Sequence, residues 1–201
     1  MEEVERTIER LRAFALELLG WNRGVSNLIA RSDESRLVDR HIAESLAGAT
    51  VIRDLHCEHL VDFGSGGGFP ALPLALAGVG KRWTLVESRR NKTLFLRRIV
   101  ERFELRDIEV LTGRLEVLAI EEAAALQCDG FTSRATMKAA PTLELAAQIV
   151  RPGGHAILWK GSGLADELEV DAAAWQLDWE TPVTRALGTG PNLLAVFRRK
   201  T

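Results

Sequence analysis

The sequence predicts an α/β fold: a doubly wound, mainly parallel sheet with an N-terminal helical cap. Three observations carry that reading. Before residue 58 apolar residues recur at helical spacing; beyond it short β-rich runs alternate with helical stretches; and the first of those runs ends in a glycine-rich loop that opens a helix. Alternation of this kind builds βαβ units around a sheet covered by helices on both faces. Such sheets bind ligands at the carboxyl ends of their strands, where the strand order reverses. Residues 1–57 are read as the cap, part of the same domain, and residues 58–201 as the core.

Taken in order, Val4, Ile8, Leu11, Ala15, Leu18 and Leu19 mark a first helix that Gly20 stops. Residues 21–31, rich in Asn, Arg and Gly, read as a loop. A second helix is expected from Asp33, capped by Ser32, with Leu37, Val38, Ile42 and Leu46 on its apolar face. Strands are expected at 59–63, 82–87, 108–112, 130–133, 155–159 and 193–198. Helices are expected at 70–77, 91–103, 115–125, 140–150 and 164–174. Pro152-Gly153-Gly154 reads as a turn into the fifth strand.

Composition narrows the function classes. With 201 residues, 46% apolar and 27% charged, the chain is neither disordered nor fibrous. Its longest weakly interrupted apolar stretch, residues 71–79, contains a proline and falls short of the roughly 18 residues of a membrane span. The acidic start, Met1-Glu2-Glu3, has no apolar signal region, so a cytoplasmic protein is expected. Cys57 and Cys128 stand far apart without metal-ligand spacing, which predicts no disulfide and no metal. The formal net charge of −2 hides a segregation: residues 81–102 hold eight bases against two acids, and residues 164–180 hold six acids and no base. One face is therefore able to attract a polyanion, through phosphate contacts that would make binding depend on salt.

The most informative segment is the loop after the first strand. Asp62, Gly64, Gly66 and Gly68 form the pattern acid-x-Gly-x-Gly-x-Gly, followed by Phe69 and Pro70 at the helix start. Glycines let the chain turn sharply and let a ligand approach main-chain N–H groups. The dinucleotide fingerprint begun at Gly64 requires glycine where Phe69 stands, and no Walker lysine follows. The pattern resembles the first motif of the class I S-adenosylmethionine-dependent methyltransferases, whose loop cradles the cofactor's amino-acid part. Glu87 closes the second strand about 20 residues further on, where a ribose-binding acid is expected.

Reading outward, the chain resembles the RsmG (GidB) family, which methylates N7 of a guanine in 16S ribosomal RNA. Trp21-Asn22 and Asn27-Leu28 resemble its WN…NL element, and His41-Ile42-Ala43-Glu44-Ser45-Leu46 its HxxDS helix. Gly66-Gly67-Gly68-Phe69-Pro70, Lys92 with Phe95-Leu96, Arg114-Leu115-Glu116, Ser133-Arg134-Ala135, Pro152-Gly153-Gly154 and Lys160-Gly161 follow in family order. Glu44 and Glu87 replace the family's usual aspartates, and Ala71 its usual glycine. No motif transfers beyond Gly163.

The resemblance implies a Rossmann-like methyltransferase core, S-adenosylmethionine as cofactor and 16S rRNA, a small ribosomal subunit or an assembly intermediate as partner. A monomer is the expected state. It places cofactor contacts on Asp62, Gly64, Gly66, Gly68, Phe69, Glu87, Leu115, Glu116 and Arg134. It places Arg134, Lys92, Arg114, Asn27 and His41 nearest the substrate. Guanine N7 carries a lone pair and no proton, so its methylation needs no general base, and positioning for in-line attack supplies the catalysis. Two alternatives stay open: a class I methyltransferase of small molecules or proteins, and a non-catalytic cofactor-binding regulatory module.

Overall fold

In a computed structural model, which describes residues 1–170, 172–188 and 190–201, helix α1 spans Glu2–Gly24 and passes straight through Gly20. The first residues of the expected 21–31 loop are therefore helical. Trp21 packs on Phe95 with ring centroids 5.7 Å apart. The buried Asn22 accepts the N–H groups of Leu28 and Ile29 at 2.7 and 3.0 Å. Those contacts outweigh the roughly 1 kcal/mol by which glycine disfavours a helix interior.

The expected second helix is broken. Arg31–Arg36 forms a 3-10 turn, Leu37–Ile42 a π turn, and α2 (Ala43–Leu46) and α3 (Ala49–Asp54) follow. Ala30, not Ser32, stands at the N-cap. The wider turn re-aims the apolar face: Leu37 and Ile42 are buried, whereas Val38 is 60% exposed. The carbonyls of Arg40 and His41 turn toward the guanidinium of Arg134, and π turns of this sort recur at functional sites.

The core is a seven-stranded sheet in the order β3-β2-β1-β4-β5-β7-β6. Strands β1 (His59–Phe63), β2 (Arg82–Glu87), β3 (Ile108–Thr112) and β7 (Leu193–Arg198) have the expected bounds, while β4 (Cys128–Arg134) and β5 (Val150–Lys160) extend beyond them. The strands from β1 to β5 pair in parallel, and β7 runs antiparallel to both β5 and β6 (Val183–Ala186). Strand β6 was not expected from the sequence, because its four residues are all exposed and show no apolar alternation. Pro152-Gly153-Gly154 is not a turn before β5 but an irregularity inside it. The register with β4 slips there, from Cys128 opposite Val150 to Gly130 opposite His155.

Alternate residues feed the two cores. Leu60 joins Trp83, Phe95 and Phe14 beneath α1, α4 (Ala71–Leu76) and α5 (Arg90–Arg102). Its neighbour Val61 joins Phe131, Leu143, Trp175 and Phe197 on the opposite face. That face is covered by α6 (Leu115–Glu121), α7 (Ala123–Leu126), α8 (Ala139–Ile149), α9 (Leu164–Val170) and α10 (Ala172–Gln176). The cap docks on α5, where Arg98 and Arg102 both pair with Glu17 of α1.

At the amino ends of the strands polar groups are cross-linked. Asp129 accepts the N–H groups of Glu58 and His59 and pairs with Arg151 at 3.0 Å. The His59 ring lies between Gln127 O at 2.8 Å and Thr84 Oγ1 at 2.9 Å. Cys57 and Cys128 are buried free thiols, and burial pushes Cys57 up to about 12. Among the described residues no helix is long and apolar enough to cross a membrane, and no cluster of His, Cys, Asp and Glu could hold a metal ion.

Candidate active site

A cavity of about 670 Å³ opens at the carboxyl ends of β1, β4 and β5, beside the switch point between β1 and β4 where the strand order reverses. Its floor is the glycine loop. Gly64, Gly66 and Gly68 all adopt left-handed φ, at +70°, +55° and +91°, a region open to glycine and strained for other residues. At Gly64 a Cβ would collide with Thr136 Cγ2, which ties the loop after β1 to the loop after β4. Above Gly66 the space is open toward Lys92, whose Nζ lies 3.8 Å from the position a Cβ would take.

Asp62 lies beneath this floor, fully buried. Thr132 donates to its Oδ1 at 2.7 Å, while Oδ2 has no partner. Burial holds the carboxyl at about 7, against hydrogen bonds that favour its charged form. Glu87 is also buried: Gly66 N donates to Oε2 at 2.9 Å and Arg89 N to Oε1 at 2.8 Å. It braces the loop from behind and is not on the cavity wall. Phe69 does line the cavity, with its ring packed between Phe14 and His41.

The roof comes from the cap and the strand ends. Asp33, Arg40, His41 and Glu44 face the cavity from one side, with Arg134 to Lys138, Trp159 and Lys160 from the other. The His41 ring sits 5.1 Å from that of Phe69, and its Nε2 is buried without a hydrogen-bond partner, 3.6 Å from Asp33 Oδ2. Burial and the neighbouring Arg134 keep His41 below the usual histidine range, so it is neutral at pH 7. Arg134 donates to Arg40 O, His41 O, Ser45 Oγ and Glu44 Oε2 at 3.1 Å or less, the Ser45 contact at 3.5 Å excepted. Four of its five N–H groups are thus committed to the cap. Ala135, next in sequence, holds a left-handed φ of +54°, a strained state for alanine.

Several lining groups had no local signature. Glu167 of α9 accepts Lys160 Nζ and Ala139 N, both at 2.8 Å, and Lys160 donates to Met137 O. Burial pushes the Glu167 carboxyl up, but these donors outweigh it and hold it below the usual range. This explains one residue of the acidic run at 164–180. Asn192, 148 residues from Glu44, donates to its Oε1, and Trp159 Nε1 donates to Glu44 O. The sequence clue to Glu167 was an acid-only helix following the Lys160-Gly161 element; Leu187 and Asn192, which also line the cavity, gave none.

Of the expected residues, Gly64, Gly66, Phe69, Lys92, His41 and Arg134 meet at the cavity. Asn27 lines a smaller pocket beside it with Ser26, Arg89, Arg90, Asn91 and Lys92. The rest lie elsewhere. Gly68 packs against Leu72 behind the loop. The Leu115 side chain is fully buried in the core and presents only backbone to a ligand. Arg114 and Glu116 are exposed at the start of α6, outside both pockets.

The cavity's charges are unequal. Asp33 pairs with Arg40, Glu44 with Arg134 and Glu167 with Lys160, at 2.8 to 3.2 Å. Lys92 and Lys138 have no such partner among the described residues, so the lining is net positive.

This strand order, with an antiparallel last pair, a glycine loop after β1 and a cavity at the switch point, defines a class I methyltransferase fold. Solved structures agree. The chain is similar to an O-methyltransferase from Bacillus cereus in complex with SAH, with TM-score 0.61 and 18% identity over 92% of this chain and 90% of that one. It is similar as well to a tRNA methyltransferase from Aquifex aeolicus, with TM-score 0.58 and 9% identity over 78% and 69%. At these identities the likeness is one of fold. The chain belongs to the rRNA small subunit methyltransferase G (GidB) family, whose model matches residues 7–191. It is 38% identical to ribosomal RNA small subunit methyltransferase G of Roseiflexus castenholzii over 82% of this chain and 69% of that protein. With the protein of the same name from Polynucleobacter asymbioticus it shares 32% identity over 96% and 85%.

Proposed function

We propose that this protein transfers a methyl group from S-adenosylmethionine to N7 of a guanine in 16S rRNA. The observation that carries the reading is the cavity itself: a glycine floor at the switch point, with unpaired polar groups and two unpaired lysines in its surroundings. Its volume suits a cofactor and one base.

The residues fit the cofactor. An ammonium group settling on the glycine loop would give the orphaned Asp62 a compensating charge, and the open space above Gly66 admits a ligand against main chain. Glu87 has a further lone pair on each oxygen for ribose hydroxyls. The cofactor supplies an electrophilic methyl on a sulfonium. All else is positioning: Phe69 and the neutral His41 form a flat wall for a purine, and Lys92 stands where it can donate to guanine O6 beside N7. Since N7 has no proton to lose, a neutral His41 without a hydrogen-bonded acid suits the reaction. Arg134 acts chiefly by holding the cap over the cavity. The partner is the small-subunit rRNA, naked or assembled, and the protein works as a monomer on a substrate in the same compartment as ribosomes.

Transfer of labelled methyl to small-subunit RNA lacking its native modifications tests this. Offered naked and as particles, one form should yield 7-methylguanosine at a single site. Cofactor binding without label in either form would contradict the reading.

A further inference from the structure

The eight bases of residues 81–102 do not act as one face. Lys81 pairs with Glu58 at 2.6 Å, and Arg82 bonds the His59 ring, both at the amino end of the sheet. Arg97 donates to Val110 O and Thr112 Oγ1, and Arg98 and Arg102 hold Glu17. Among the described residues only Arg89, Arg90 and Lys92 have side chains without a hydrogen-bonded or ionic partner. Those three converge, with Asn27, Ser26 and Asn91, on the pocket of about 380 Å³ beside the main cavity. No acid lines this pocket. Lys92 belongs to both cavities, so a group bound in the smaller one abuts whatever occupies the larger.

We infer that this pocket, built by Arg89, Arg90 and Asn27, is the seat of a backbone phosphate of the rRNA, next to the nucleotide whose base enters the main cavity. This deepens the proposed function and rests on it. Two guanidiniums and a carboxamide are suited to phosphate oxygens, the arginines bidentately. Arg89 and Arg90 are exposed, and the backbone N–H of Arg89 that braces Glu87 does not depend on its side chain, so both can be changed without disturbing the cofactor floor. The sequence-level idea of a continuous basic face thereby contracts to one pocket at the cavity mouth.

The test compares Arg89→Gln/Arg90→Gln with Lys81→Gln/Arg102→Gln, which removes the same charge from partnered positions. The probe is the RNA or particle form that the wild-type protein methylates, bound across a salt series. Each phosphate contact to single-stranded RNA contributes about 0.7 to the slope of log K against log salt. The first variant should lower that slope by about 1.4 and weaken binding about tenfold at 150 mM salt, while its affinity for S-adenosylhomocysteine stays that of the wild type. The second should keep the wild-type slope. Equal slopes for both variants and wild type, with methylation present, would overturn the phosphate seat alone. Absence of methylation by the wild type would overturn the functional reading and the seat with it.

Discussion

The two edges of the sheet differ in how they treat polar groups. At the amino edge every buried group has its partner: Asp129 accepts two main-chain N–H groups and an arginine, and His59 is held on both ring nitrogens. At the carboxyl edge Asp62 Oδ2 and His41 Nε2 are buried without a partner, and Lys92 and Lys138 carry unpaired charge. A buried polar atom without a hydrogen bond costs about 1–3 kcal/mol. Both edges are made of the same strands, so the fold does not force the difference. One edge holds the sheet together; the other is left incomplete in the way a ligand site is.

If that contrast is right, the largest stability loss belongs to the amino edge. Asp129→Ala strands two N–H groups and should cost about 2–4 kcal/mol, measured by urea unfolding, with specific activity per folded molecule retained. A smaller effect is expected at the hinge between the edges. Arg134→Met removes the donors that hold the π turn, so amides of residues 37–46 should exchange about 30-fold faster, as for a local loss of about 2 kcal/mol, while β1 and β2 stay protected. Uniformly faster exchange would show that Arg134 supports the whole fold and not the cap.

The smallest expected effect concerns Asp62. Its folded pKa of about 7 lies above the ordinary 3.8, so the folded chain binds more protons than the unfolded one between those values. Its contribution to stability is complete below about pH 4 and is lost as pH rises through 7. Asp62→Asn removes that titration. The variant should gain about 1 kcal/mol on wild type between pH 6 and pH 8, and a pH-independent gap would place the charge elsewhere.

The two edges were not equally legible in the sequence. Strands β1, β2, β3 and β7 fell at their expected bounds because their apolar runs are continuous and buried. The glycine loop was legible because left-handed φ selects glycine at Gly64, Gly66 and Gly68. The roof of the cavity was not. The π turn at Leu37–Ile42 depends on Arg134, more than 90 residues away, and no local pattern announces it. Glu44 meets Asn192 from the far end of the chain for the same reason. The exposed β6 lacked any apolar signal, and the run of bases gave no sign of which members would find acids.

Proton release on cofactor binding tests the incompleteness of the carboxyl edge most directly. Calorimetric titration of S-adenosylmethionine at pH 7, in buffers of different ionisation enthalpy, reports protons lost per ligand bound. A cation settling near Asp62 lowers its pKa, so the wild-type protein should release a substantial fraction of a proton and Asp62→Asn none. Binding with no proton release, or with equal release by both proteins, would contradict the account.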